Sequence, residues 1–250
     1  MRMILIASAL LVGGCASDAE AQDWRKALGA VIEENTDIDA SAITGGSEDG
    51  LTSGEIGAGL KEALTIGART VGGQLSAADG YFGDDAIRIP LPGVLGDAQE
   101  RLQPFGMSGP LDDLQLRMNR AAESAAPKAR DLVVGAVQDM TIEDAVGILN
   151  GGDTAATDYL KSKTSSPLAA AFKPYVETAL SESGALQAVE GVADRYGASS
   201  LGADARDSLT EHAVDGALEG LFYYIAKEEA AIRSDPVRQT TDLLKKVFGG

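Results

Sequence analysis

Two threonines, each followed three residues later by an acid, constrain this chain more than any other feature. Thr52 with Glu55, and Thr141 with Asp144, have the spacing of a capping box. In such a box hydroxyl and carboxylate satisfy backbone N–H groups left without partners at a helix start. The first predicts a helix through Gly59-Leu60-Lys61-Glu62-Ala63-Leu64 to about Val71, ended by Gly72-Gly73. The second predicts a helix that stops at Asn150-Gly151-Gly152. Asp153 is placed to cap the next helix, which carries Ala156, Tyr159 and Leu160, and Pro167 and Pro174 bracket a further short segment. Asp235-Pro236 reads as a cap followed by proline at the first helical position. Leu243, Leu244, Val247 and Phe248 then supply a last apolar face, with Lys245 and Lys246 in the final turn where the helix dipole favours cations.

One segment has a different period. Ile87-Arg88-Ile89-Pro90-Leu91-Pro92 alternates every second residue, but its two prolines confine it to an edge strand or an extended crossing. Aromatic residues make up only 5% of the chain, which suits closely packed helices better than a β-sandwich. The expected fold is therefore all-α, a helical bundle with one short extended segment near residues 86–92. No period of 20 to 50 residues repeats, so a solenoid is not expected.

The N-terminus has another character. Arg2 supplies a positive charge, Met3 to Val12 an apolar run, and Val12-Gly13-Gly14 the small residues that precede Cys15. This is the pattern of a bacterial lipoprotein signal peptide, in which the cysteine is acylated after cleavage. The apolar run is too short for a membrane span, which takes about 20 residues. A plain secretory signal also suits Gly13 and Gly14. Lipidation is favoured because Cys15 is the single cysteine of the chain and stands where the apolar run ends; an internal disulfide is excluded. Ala16 and Ser17, with no Asp directly after the cysteine, favour the outer membrane under the enterobacterial sorting rule. Three regions follow: residues 1–14 as signal peptide, 15–50 as lipidated N-terminus, short amphipathic helix and linker, and 51–250 as a single helical domain. The amphipathic helix rests on Trp24, Leu28, Val31 and Ile32, and the linker on the turn-rich stretch Asn35 to Gly50.

The formal charge of −17 bears on partners. Cleavage before Cys15 removes Arg2 and no acid, making the remainder more acidic still. Such a surface repels nucleic acid and anionic head groups, so membrane attachment falls to the lipid at Cys15. No nucleic-acid partner is expected; an envelope protein or a small apolar ligand remains open.

Several stretches together resemble one family. They are Ala78-Asp79-Gly80-Tyr81, Ile87-Arg88-Ile89-Pro90-Leu91-Pro92, and Met118-Asn119-Arg120-Ala121-Ala122-Glu123 with Ala126-Pro127. Met140-Thr141 with Asp144-Ala145 and Ile148-Leu149, then Ala155-Ala156-Thr157 with Tyr159-Leu160, continue the series. Asp215-Gly216 through Leu221-Phe222, Glu228-Glu229, Ile232-Arg233, Asp235-Pro236 and Leu243 through Gly249 complete it. In this order they resemble the bacterial lipoprotein family called domain of unknown function 4197, over roughly Thr52 to Gly249. The resemblance implies a helical envelope lipoprotein and transfers no catalytic residue.

Chemistry-bearing patterns are weak. Tyr159 and Lys163 have the Tyr-x-x-x-Lys spacing of short-chain dehydrogenases. The nearest glycine pair, Gly57-Ala-Gly59, lies in a helical pattern and lacks the third glycine of a nicotinamide site. Asp37, Asp39, Ser41 and Glu48 fall at positions 1, 3, 5 and 12 of a calcium loop, but Ala42 stands where that loop needs glycine, so the stretch reads as an acidic linker. His212 is the single histidine, and zinc would have to rely on it with Glu211 or Asp215. Neither Gly-x-Ser-x-Gly nor the P-loop pattern occurs. No catalytic residue, metal or cofactor is assigned.

What remains is polar residues on apolar helices. After Pro110 a stripe of Leu111, Leu114, Met118, Ala121, Ala122 and Ala125 is expected inside, with Asn119 and Glu123 on a neighbouring face and Arg120 beside them. Glu229 and Arg233, four apart, with Asp235 at the following cap, form a charged helix corner. Asp79, Tyr81, Arg88, Asn119, Arg120, Glu123, Glu229, Arg233 and Asp235 are the candidate polar cleft; an interhelical network that fixes packing is the stronger alternative. A noncatalytic binding module leads, ahead of a carboxylate-dependent enzyme acting on an envelope substrate and an apolar-ligand or lipid carrier.

Overall fold

A computed structural model describes residues 52–188 and 199–234. The signal peptide, Cys15, the helix around Trp24, the linker with its calcium-like spacing, Asp235-Pro236 and the apolar face at 243–248 lie outside the described residues. The described part is 82% helical without strands, an all-α bundle. Its helices include α1 (Ser53–Leu75), α2 (Gly93–Leu102), a 3-10 turn (Gln103–Phe105), α3 (Gly109–Gln138), α4 (Ile142–Leu149), α5 (Ala155–Ser181) and α6 (Ser199–Ser234). The most extensive pairings are α3 with α5, α5 with α6, and α1 with α3.

Both capping boxes form. Thr52 Oγ1 accepts from Glu55 N at 3.2 Å while Glu55 Oε2 accepts from Thr52 N at 3.0 Å; Thr141 and Asp144 do the same at 3.0 Å each way. Helix α1 does not end at Gly72-Gly73. It continues to Leu75, because Gly72 serves packing instead: a Cβ there would lie 2.5 Å from Arg130 Cβ, so its absence lets α3 approach. Gly57 and Gly59 also lie inside α1, which removes them from any phosphate-binding turn.

Pro167 and Pro174 do not bracket a short segment either; both lie within α5. A proline deprives the carbonyl four residues earlier of its partner. Here the prolines, and Lys163 and Ala170 four residues before them, are exposed, so the breaks in the hydrogen-bond ladder fall on the solvent side of the helix. Ala156, Leu160, Thr164, Leu168, Phe172, Val176 and Leu180 are buried at a spacing of four. Each step carries the buried row about 40° further round the helix, so successive stretches of α5 serve different neighbours.

The irregular stretch 76–92 between α1 and α2 is a strap. Ile87, Ile89 and Leu91 are buried while Arg88 and Pro90 are exposed, so the alternation of burial is realised, with Ile87 in the hydrogen-bonded turn that Asp84 O closes and residues 88–92 crossing without regular structure. Gly216 and Gly220 of α6 make the room: a Cβ at Gly220 would lie 2.7 Å from the Tyr81 ring, and one at Gly216 would lie 3.1 Å from Ile89 Cγ2.

Candidate functional site

Helix α3 sends three polar side chains, Asn119, Arg120 and Glu123, into the strap. Asn119 is fully buried and acts as a one-residue strand: Oδ1 accepts from Ile89 N at 2.9 Å and Nδ2 donates to Ile89 O at 2.9 Å and to Gln115 O at 2.8 Å. It satisfies both backbone groups of a buried residue that has no sheet to join. Glu123, one turn on, accepts from Tyr81 N at 3.1 Å and Phe82 N at 3.2 Å through Oε1. Its Oε2 lies 2.6 Å from Arg120 Nη1, and Arg120 Nη2 reaches Asp79 at 2.8 Å. Asp79 has φ 65, a left-handed turn that aspartate tolerates better than most side chains, and it places its carboxylate before Arg120.

Helix α6 holds the strap's other side. The Tyr81 hydroxyl donates to Ala217 O at 2.9 Å; burial, reinforced by the charge of Glu123, pushes its phenol well above the ordinary tyrosine range. Tyr224 donates to Asp84, and this hydrogen bond, helped by Ala86 N, holds the Asp84 carboxyl below the usual range. His212 Nε2 donates to Pro90 O at 2.8 Å. Arg88 donates to Phe82 O at 2.6 Å and pairs with Asp85 at 2.8 Å.

Asp79, Tyr81, Arg88, Asn119, Arg120 and Glu123 thus meet at one junction. Tyr81, Asn119 and Glu123 are inside it with their polar atoms engaged. Glu229 and Arg233 stand elsewhere, and Asp235 lies outside the described residues. A model of the family described as Protein of unknown function (DUF4197) matches residues 50–249. The chain belongs to this family. No curated protein and no solved structure matches it.

A second buried carboxylate in the DUF4197 domain organises the start of α5. The N-cap position of α5 is Thr154 rather than the expected Asp153, and the Thr154 side chain makes no capping hydrogen bond that would close this end. Glu229 of α6 does so from across the bundle. Its oxygens accept from Ala156 N at 3.0 Å and from Thr157 N and Oγ1 at 2.8 and 2.7 Å. Arg233 Nη2 lies 2.8 Å from Glu229 and 3.2 Å from Ile148 O, the end of α4.

Other sequence candidates resolve into packing. The Tyr159 hydroxyl donates to Asp144 at 3.3 Å, and Lys163 Nζ sits over the tyrosine ring, 5.6 Å from its centroid. Burial first, then the Asp144 carboxylate, raise the phenol's pKa; dehydrogenase chemistry needs it lowered. Among the described residues no cluster of three or more His, Cys, Asp or Glu is placed to hold a metal.

An open groove of about 600 Å³ runs between α3 and α5. Leu116, Ala121, Pro174, Tyr175 and Ala179 give it an apolar floor, and Asp113, Arg117, Arg120 and Glu182 a charged rim. Arg117 is held by Asp113 at 2.7 Å but by Glu182 only at 3.4 Å. Arg120 belongs to both places, gripping the strap and lining the groove. Sequence reasoning missed Arg117, Tyr175 and Glu182, because breaking the helix at Pro174 scattered one continuous face. Arg117-x-x-Arg120, at the i, i+3 spacing that shares a helix face, was the signal available.

Proposed function

We propose that this DUF4197 protein is a noncatalytic binding or interaction module of the cell envelope, lipid-anchored through Cys15 to the periplasmic face of the outer membrane. Its binding surface is the groove between α3 and α5. The observation that carries the binding role is the division of labour at Arg120. The buried acids, Glu123 and Glu229, are consumed by backbone N–H groups and arginines, whereas the groove that Arg120 lines is open and apolar-floored with long charged side chains at its rim. Two features weigh against the alternatives. A carboxylate pair for acid–base work needs a free oxygen facing a shared cleft, and neither glutamate offers one. A lipid carrier needs an enclosed apolar cavity, whereas among the described residues the hollow lined by Leu64, Ala68, Val133, Leu160 and Ile225 holds about 10 Å³, room for no more than a water molecule. The anchoring role rests on the signal-like N-terminus; among the described residues no helix is long and apolar enough to cross a membrane.

Two experiments test the two halves. Labelled palmitate is expected to enter the native chain and not the Cys15→Ser variant; absence of label in the native protein overturns the anchor. A photo-crosslinking residue at Tyr175 is expected to capture one consistent envelope partner in intact cells, with capture lost when Ala179→Trp fills the groove. Capture unaffected by Ala179→Trp removes the groove from the reading.

A further inference from the structure

Helix α2 buries none of its ten residues. It is tied to the bundle on one side, where Gln99 Nε2 donates to Asp112 and Gln115 of α3 at 2.8 and 2.9 Å. A second face is left over. Val94, Ala98 and Leu102 follow each other at intervals of four, and Phe105 continues the row across the 3-10 turn. Val94 is 80% exposed, Phe105 77% and Met107 65%, above Ile142 at 53% and the other exposed large apolar residues. Val94, Asp97, Ala98, Arg101 and Leu102 line a shallow hollow of about 350 Å³. An apolar row of this kind normally faces a core or a partner.

The charges beside the row say what covers it. Asp97 and Arg101 are exposed, four apart, and neither enters an ion pair among the described residues. Reversing the direction of the helix exchanges their positions, so α2 is complementary to itself in an antiparallel pairing. Centred between them, such a pairing brings Asp97 of each copy to Arg101 of the other. Val94 then meets Leu102 and Phe105 of the second copy, and the small Ala98 at the crossing lets the two axes approach closely. A two-fold contact requires this self-complementarity. An anionic lipid surface is a poorer match, since α2 carries Asp97 and Glu100 against Arg101 on a chain of formal charge −17.

We propose that α2 and the turn that follows it form an antiparallel docking surface for a second copy of this chain. A ten-residue helix is about 15 Å long and covers less than the roughly 1,600 Å² of a standard interface, so the dimer is weak and concentration-dependent.

Disulfide trapping detects such a contact. In the otherwise full chain with Cys15→Ser, which leaves no cysteine, Ala98→Cys is expected to give a disulfide-linked dimer at least tenfold faster than Ser162→Cys, an exposed position on α5. Sedimentation equilibrium is expected to show at least fivefold weaker dimerisation for Asp97→Arg and for Arg101→Asp, each of which sets like charges face to face. The double reversal restores the contact to within twofold. Phe105→Asp abolishes it and, lying at an exposed position, leaves the helical circular-dichroism melt unchanged. Equal trapping at positions 98 and 162, or failure of the double reversal to restore dimerisation, overturns the proposal. Phe105-dependent flotation of the Cys15→Ser chain on phosphatidylcholine vesicles also overturns it, because the face then belongs to lipid.

Discussion

Glu123 and Glu229 are two buried carboxylates with nearly the same chemistry, and their surroundings make them different devices. Each accepts two backbone N–H groups, and each is paired with an arginine on its own helix. Glu229 completes a regular element, supplying the α5 terminus with the cap that Thr154 does not give. Glu123 completes an irregular one, holding a strap with no periodic hydrogen bonds of its own. The arginines differ more. Arg233 is 10% exposed and has little solvent to turn to, whereas Arg120 is 40% exposed and is shared with Asp79. The same pair is therefore a closed lock at α5 and a hinge between core and groove at the strap. Burial of the cation, more than the number of hydrogen bonds, distinguishes them.

The largest effect expected from this difference is at Glu229. Glu229→Ala strands Arg233 in the interior and uncaps α5, and is expected to cost about 3–5 kcal/mol, read from the urea midpoint. Removing Arg233 as well is expected to recover part of that loss; a double variant no more stable than Glu229→Ala breaks the closed-lock description. Glu123→Ala comes next, at about 2–3 kcal/mol, because Tyr81 and Phe82 lose their acceptor while Arg120 can turn to Asp79 and water. A cost equal to that of Glu229→Ala means that exposure of the arginine does not separate the two sites.

Gly220→Ala is expected to cost about 1–2 kcal/mol, since the new methyl meets the Tyr81 ring. Amide exchange is expected to rise selectively at Ile87 to Leu91; a rise shared by α5 detaches this glycine from the strap. The smallest effect is at Tyr224→Phe, which removes the hydroxyl bonded to Asp84. A carboxyl held below its ordinary value contributes stability that is full above the unfolded value and is lost as pH falls through the folded one. The wild type's advantage over Tyr224→Phe is thus expected to be constant between about pH 5 and about pH 9, below the ordinary phenol range that Tyr224 itself exceeds, and to shrink as pH falls below 3.8, the ordinary value for the Asp84 carboxyl. An advantage that instead persists unchanged to lower pH assigns the tyrosine a packing role alone.

The sequence showed local features well and distant ones poorly. Thr52-Glu55 and Thr141-Asp144 were legible because a capping box is written within four residues. The alternating burial of Ile87, Ile89 and Leu91 also survived, although Ile87 lies in a turn closed by Asp84 O and only the residues after it cross without regular structure. Gly72, Pro167 and Pro174 misled for a common reason: each has a strong local meaning that a partner far along the chain overrides. Arg130 decides what Gly72 is for, and the unbroken row from Ala156 to Leu180 carries α5 past its prolines. The junction residues were recognisable as polar positions on apolar helices, but their meeting depends on the separation of 136 residues between Tyr81 and Ala217, which no local pattern encodes. The α3–α5 groove was hidden by the misplaced break at Pro174.

The strap also has a place in time. Asn119 can mimic a neighbouring strand only where α3 already stands, and Tyr81 can reach Ala217 only after nearly the whole described chain has been assembled. Contacts of such sequence separation form after the local ones that enclose them. The helices are thus expected to associate first and the strap to seat last, so substitutions at Tyr81 should speed unfolding while leaving the refolding rate almost unchanged. A chain interrupted between the strap and α6 would carry every residue of the junction's first half and still have nowhere to fasten it.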